Sequence, residues 1–134
     1  MTEHTITVTA ADAEKLRQLI SEAQRTGYRG SPYLQMLWHE LERAEIVDEQ
    51  DLRPDVITMH SQAELVDANT GEEMVLTLVY PDEADPLEGK ISILAPIGTA
   101  MLGYREGDEF NWDTPDGNRT LRVTKVITQP ERQA

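Results

Sequence analysis

The chain has 134 residues, 39% of them hydrophobic and 28% charged, with 25 acids against 12 lysines and arginines and no cysteine. That length suits one ordinary domain, or a small domain with an appendage, and the lack of cysteine excludes disulfide staples and thiolate chemistry. The net charge of −13 repels phosphate backbones, so no direct nucleic-acid binding is expected. It would steer the protein toward a basic patch on another macromolecule, or serve solubility alone.

No apolar run approaches the roughly 18 residues of a membrane span. The opening "MTEHTITVTA" has no basic stretch leading into a long apolar one, so it does not read as a secretory signal. A cytoplasmic protein without membrane contact is expected, a monomer rather than an oligomer.

"TITVT" (5–9) alternates, as a short edge strand or lead-in segment would. Thr9 followed by Asp12 resembles a capping box, with Asp a weaker third-position partner than Glu. Leu16, Leu19, Ile20 and Ala23 then keep the spacing of an amphipathic helix. Gly27 and Gly30 punctuate the chain, and Ser31-Pro32 restarts a helix: the hydroxyl caps free N–H groups and proline is tolerated in the first turn. Leu34, Leu37, Trp38 and Leu41 repeat the helical spacing. The two segments predict an antiparallel helical hairpin, a short coiled coil. At about 15 residues per helix it is only some 20–25 Å long, about 1.5 Å per residue.

"IVDEQDLRPD" (46–55) reads as a polar linker. Beyond it "VITMH", "AELVDA" and "EMVLTLVY" read as strands, with a turn at "NTGE" and an acidic, proline-bounded loop "PDEADPLEG". Val75, Leu76, Leu78 and Val79 are apolar on both faces, as in an interior strand. "ISIL" is the next strand, after which the period changes: Pro96 opens a short helix in which Ile97, Met101 and Leu102 supply core, and Gly103 stops it. "DEFNWDT" and "RTLRVTKVIT" are the last two strands, joined at Asp116-Gly117, a dipeptide suited to a type I′ turn. The expected fold is α+β. A helical hairpin (1–50) precedes an antiparallel sheet of four to five strands (51–134), curled around one helix that plugs its open face.

The segment "SILAPIGTAMLGYREGDEFNWDTPDGNRTLRVTKV" resembles the C-terminal FKBP-like domain of the bacterial Gre transcript-cleavage factors. The positions that carry the likeness are Pro96, Ala100, Leu102, Gly103, Gly107, Asp108, Pro115, Gly117 and Val123. Within that superfamily the abbreviated hairpin, "DVITM" (55–59) and the "APIGTAMLG" helix are most similar to the Rnk group, regulators of nucleoside diphosphate kinase. The resemblance spans practically the whole chain. It implies a partner, RNA polymerase, gripped near the secondary channel by the FKBP-like domain while the hairpin points inward. In Gre factors acidic residues at the hairpin tip help to hold a second Mg²⁺ for RNA hydrolysis. That role needs clustered carboxylate oxygens at the end of a long arm.

Here the tip "AQRTGYRGSPY" has no carboxylate, and Glu22 lies about a turn back along the first helix. Reach and ligand are both missing, so occupancy of the site and exclusion of longer factors are expected, without cleavage stimulation. Effects on nucleoside diphosphate kinase levels are implied by the Rnk likeness. The candidate partner-binding residues are Arg25, Tyr28 and Arg29 at the tip, with a solvated turn that meets no partner as the alternative. With them stand Leu94, Ala95, Pro96 and Ile97 at the strand–helix corner, which could equally serve only the fold. Ala95 replaces a Gre serine, so any contact made by that hydroxyl is lost.

Other chemistry finds little support. A prolyl-isomerase pocket needs several aromatic walls, and the chain has one Phe, two Trp and four Tyr. Phe110 and Trp112 share one strand face and read as core or partner contact. His4, His39 and His60 have no zinc spacing, and "DANTGE" fits a hairpin turn better than a calcium loop. No nucleotide loop is present. Asp82, Glu83, Asp85 and Glu88 read as a solvated loop, with contact to a basic rim as the alternative. No catalytic residue, metal or cofactor is expected; the chain reads as a non-enzymatic regulator, with an isomerase or a general adaptor as alternatives.

Overall fold

Thr9 ends an extended segment and begins a helix within one residue. Its hydroxyl accepts the Asp12 N–H at 3.1 Å, the cap its position suggests. The computed structural model of the chain describes residues 5–26, 30–114 and 117–130. Strand β1 (Thr7–Thr9) leads into helix α1 (Ala10–Ala23), and helix α2 (Pro32–Arg43) returns from the tip. Ser31 Oγ accepts the Leu34 N–H at 3.4 Å, and Pro32 occupies the first turn. Ala13, Leu16, Ile20 and Ala23 of α1 are buried with Leu34, Leu37 and Leu41 of α2. The leucines and Ile20 thus pack as the spacing predicts, with Leu19 half-buried, but Trp38, which the spacing placed with Leu34, Leu37 and Leu41, is 38% exposed. At 14 and 12 residues the helices span about 20 Å.

The first departure from expectation follows α2. Residues 45–47, which reach two residues into the segment expected as a linker (46–55), form strand β2 (Glu45–Val47), which pairs in parallel with β1. The Glu45 N–H donates to the Ile6 carbonyl at 2.9 Å, so the two roots of the hairpin are tied together.

Five further strands make one sheet. In chain order they are β3 (Gln62–Asp67), β4 (Glu73–Val79), β5 (Lys90–Ser92), β6 (Glu109–Thr114) and β7 (Gly117–Thr128). Across the sheet the order is β5-β4-β3-β7-β6. All neighbours are antiparallel except β4 and β5, which run parallel. The expected antiparallel sheet is thus antiparallel-rich, with one parallel edge. Interior strand β4 buries Leu78 and Val79. The Pro115–Asp116 part of the last turn lies outside the described residues. Helix α3 (Pro96–Met101) buries Ile97, Gly98, Thr99 and Met101 and packs against β6 and α2. One continuous apolar core runs from Ile6 and Val8 through both hairpin helices to α3 and the sheet.

"VITMH" is not a strand. Val56, Ile57 and Met59 are buried, yet the segment joins no ladder: it makes one isolated bridge, Val56 to Arg105, and its last N–H, on His60, donates to the Leu78 carbonyl of β4 at 2.6 Å. Its backbone is satisfied otherwise. The Ile57 N–H donates to the Tyr104 carbonyl, the Gly103 N–H to the Ile57 carbonyl, and the Thr58 N–H to Ser61 Oγ. The Ser61 N–H closes a turn onto the Thr58 carbonyl, with His60 at φ +68° in the position that usually favours glycine.

The β3–β4 turn is a hairpin, as "DANTGE" suggests. Asp67 Oδ1 accepts the Asn69 and Thr70 N–H groups, while Oδ2 accepts Arg119 Nε at 2.7 Å and Nη2 at 2.6 Å. The Asn69 N–H first, then the Arg119 guanidinium, hold the Asp67 carboxyl below the usual carboxylate range. A lowered native pKa contributes stability that is present above the unfolded-state value, about 3.9, and lost as pH falls through the native one. In Asp67→Asn this acid-dependent part should vanish. Urea midpoints of the variant should then fall less steeply than wild type below about pH 4, from a lower neutral-pH starting point.

Candidate functional site

The corner between β5 and α3 is built by short-range bonds. Ser92 Oγ accepts the Leu94 N–H at 3.0 Å, and the Ser92 carbonyl accepts the Ala95 N–H at 3.0 Å, folding the chain back on itself. Ala95 then stands at the helix N-cap without a side chain able to cap, and Pro96 takes the first helical position. Thr99 Oγ1 donates to the Ile93 carbonyl at 2.7 Å, which fastens the helix to the strand it left. Gly98 makes that approach possible, since a Cβ there would run into the Ser92 carbonyl oxygen.

This geometry divides the four corner residues. Leu94 and Ile97 are only 7% and 8% exposed and belong to the core; Ala95 and Pro96 are half-buried. Direct contact with a partner is therefore open mainly to Ala95 and Pro96. Pro96 also lines a cleft of about 320 Å³ with Pro32, Tyr33, Met36, Ala100 and Trp112. The first turn of α2, just past the hairpin tip, thus meets the corner that the sequence singled out. Tyr33 and Met36 do not figure among the sequence candidates. Their signal was positional: both lie off the Leu34, Leu37, Leu41 stripe, yet on the helix side that α3 approaches.

At the tip, Arg25 is exposed beyond the end of α1, its N–H donating to the Glu22 carbonyl at 3.0 Å. Tyr28 and Arg29 lie outside the described residues. Phe110 is core, tilted against Tyr104 at 5.1 Å between ring centroids, and Trp112 is half-buried with Arg119 over its ring. On the opposite side of the hairpin, α1 faces a second cleft of about 590 Å³. It is lined by Lys15, Glu22, His60, Tyr80, Asp82 and Glu83 among others. His60 Nε2 and Glu83 Oε1 are 2.7 Å apart there, and the His60 bond is the main influence lowering the Glu83 pKa. Burial pushes the Tyr80 hydroxyl pKa well up. Among the described residues, no group of three or more His, Cys, Asp or Glu is placed to hold a metal ion. Nor is any helix long and apolar enough to cross a membrane.

This arrangement, a helical hairpin followed by a curled sheet carrying one short helix, has its likeness among solved Gre-factor structures. Residues 51–128 match the GreA/GreB transcription elongation factor C-terminal family, and residues 5–47 match the Rnk N-terminus. The chain belongs to the Gre-type transcription factor family, in the branch that carries an Rnk N-terminus.

More particularly, it is 36% identical over 132 residues to the regulator of nucleoside diphosphate kinase of Escherichia coli K12. That alignment covers 98% of this chain and 95% of the relative. GreA of Geobacillus kaustophilus is 38% identical over 93 residues, covering 69% of this chain and 59% of that one. Among solved structures, a GreA/GreB transcription elongation factor from Nitrosomonas europaea superposes with TM-score 0.79 at 38% identity. It covers 94% of this chain and 100% of that chain. Gfh1 of Thermus thermophilus superposes with TM-score 0.51 at 28% identity, covering 93% and 100%.

Proposed function

We propose that this protein binds RNA polymerase near the secondary channel, competes there with Gre-type factors, and does not stimulate transcript cleavage. The observation that carries the reading is the hairpin. Two helices of 14 and 12 residues reach about 20 Å, and residues 24–33, "QRTGYRGSPY", offer no carboxylate to a metal ion. Delivery of a second Mg²⁺ needs oxygen ligands at the end of the arm. An arm without them can fill an entrance and leave the chemistry untouched. The half-buried corner at Ala95 and Pro96 and the exposed Arg25 supply the contacts, with Tyr28 and Arg29 completing the tip. Occupancy of polymerase by a short-armed competitor would change transcript output, and through it the level of nucleoside diphosphate kinase.

The test is co-purification with core RNA polymerase, followed by competition against a Gre factor and a cleavage assay on backtracked complexes. The expected result is binding, displacement of the longer factor and no acceleration of cleavage. Arg25→Ala combined with Arg29→Ala should weaken the complex while leaving the melting temperature unchanged. Accelerated cleavage by the purified protein would defeat the reading, as would binding without displacement.

A further inference from the structure

We propose that Leu87, at the apex of the loop before β5, is the apolar anchor by which this protein seats itself on its polymerase partner. The socket it requires is an apolar one bordered by lysine and arginine. The inference rests on the polymerase reading above and names an element which that reading does not use.

Leu87 is 98% exposed, more than any other large apolar side chain among the described residues. At that exposure it gives folding nothing through burial. A leucine left so bare on a mobile loop would mean little, because single exposed apolar residues are common. This loop is held at both ends. Asp85 and Lys90 exchange backbone hydrogen bonds in both directions, at 2.9 and 3.0 Å. Between them the Glu88 N–H donates to the Asp85 carbonyl and the Gly89 N–H to the Pro86 carbonyl.

Gly89 turns at φ +73°, and a Cβ there would stand 2.9 Å from the Val75 carbonyl oxygen, so the loop lies tight against β4. The Gly89 carbonyl in turn accepts the Thr77 N–H at 2.8 Å. Upstream, Glu83 is fixed by His60 and by the Tyr80 N–H. Pro86 fixes its own φ. The leucine is therefore presented on a frame ordered before any partner arrives, so little ordering entropy is left to lose on binding.

The surroundings specify the partner. Asp82, Asp85 and Glu88 are exposed around the apex, in a chain of net charge −13. A second copy of this chain would bring like charges together, so a basic protein surface is the complementary one. Position agrees with the rest of the proposed dock. Strand β5 is three residues long, so the Leu87 loop and the Ala95–Pro96 corner flank one edge strand about 10 Å in length. One face of a partner can meet both.

The experiment compares the unaltered protein with Leu87→Ser and Leu87→Ala for binding to purified core RNA polymerase by titration, alongside thermal melts and sedimentation. Both variants should melt at the wild-type temperature, since nothing is buried, and bind about tenfold or more weakly. Charge reversal at Glu88 (E88K) should weaken binding further at low salt and little at high salt. If the unaltered protein binds and Leu87→Ser binds equally well, the anchor is refuted while the polymerase reading stands. No binding by the unaltered protein refutes the polymerase reading, and with it the partner named here. A dimer that Leu87→Ser dissociates would assign the loop to self-association and overturn the proposal.

Discussion

Alanine at position 98 is expected to destabilise the fold by about 1–3 kcal/mol, although the position is helical and alanine ordinarily gains about 1 kcal/mol over glycine there. The reversal comes from space. A Cβ on Gly98 would be driven into the Ser92 carbonyl oxygen and would stand 3.2 Å from the Ile93 Cα, both of them backbone. Neither can swing aside as a side-chain end could. The helix would have to move off the end of β5, loosening the Thr99-to-Ile93 bond that fastens the two. Urea unfolding of Gly98→Ala decides the point by sign alone: an unchanged or higher midpoint would mean that the corner is not closely packed.

Gly103→Ala should cost more, about 2–5 kcal/mol, because two penalties add. The residue turns at φ +83°, where an L side chain is strained, and its missing Cβ faces the Ile6 Cβ with the Ile6 Cα 3.0 Å away. Asparagine tolerates the left-handed turn and still carries a Cβ. Gly103→Asn is therefore expected to rescue little, which separates crowding from backbone strain. Hydrogen exchange at Glu45, whose N–H is held by the Ile6 carbonyl, should quicken in both variants as the N-terminal segment is pushed away. Melting temperatures within a degree of wild type would rule out the close approach.

Helices were legible where spacing and caps coincide. Thr9 and Ser31 cap the two helices that the leucine stripes predict, and the short helix after Pro96 buries Ile97 and Met101 as its pattern implies. What stayed hidden depended on partners far away in the chain. Ile46 and Val47 are too few to announce a strand, and they become one because Val8 and Thr9 lie beside them in parallel, 38 residues earlier. Val56, Ile57 and Met59 read as a strand from their hydrophobicity. The turn at His60 sends their backbone bonds elsewhere, and histidine at a left-handed position gives no warning of it. At the candidate site, the Pro96 corner was visible as a change of period. Its division into two core and two half-buried residues required the fold of the turn, and the approach of Tyr33 and Met36 required the packing of α2 on α3.

The parallel pairing of Thr7–Thr9 with Glu45–Val47 makes the base of the arm independent of how far the arm extends. The turns already present are packed into the common core with α3 and the sheet, so whole turns can be added at the tip without altering the clasp or that core. Arm length is thus a modular variable. A long acid-tipped extension transplanted onto this same pedestal would be a direct way to ask whether stature and chemistry together are all that divide a blocker from a nuclease-activating factor.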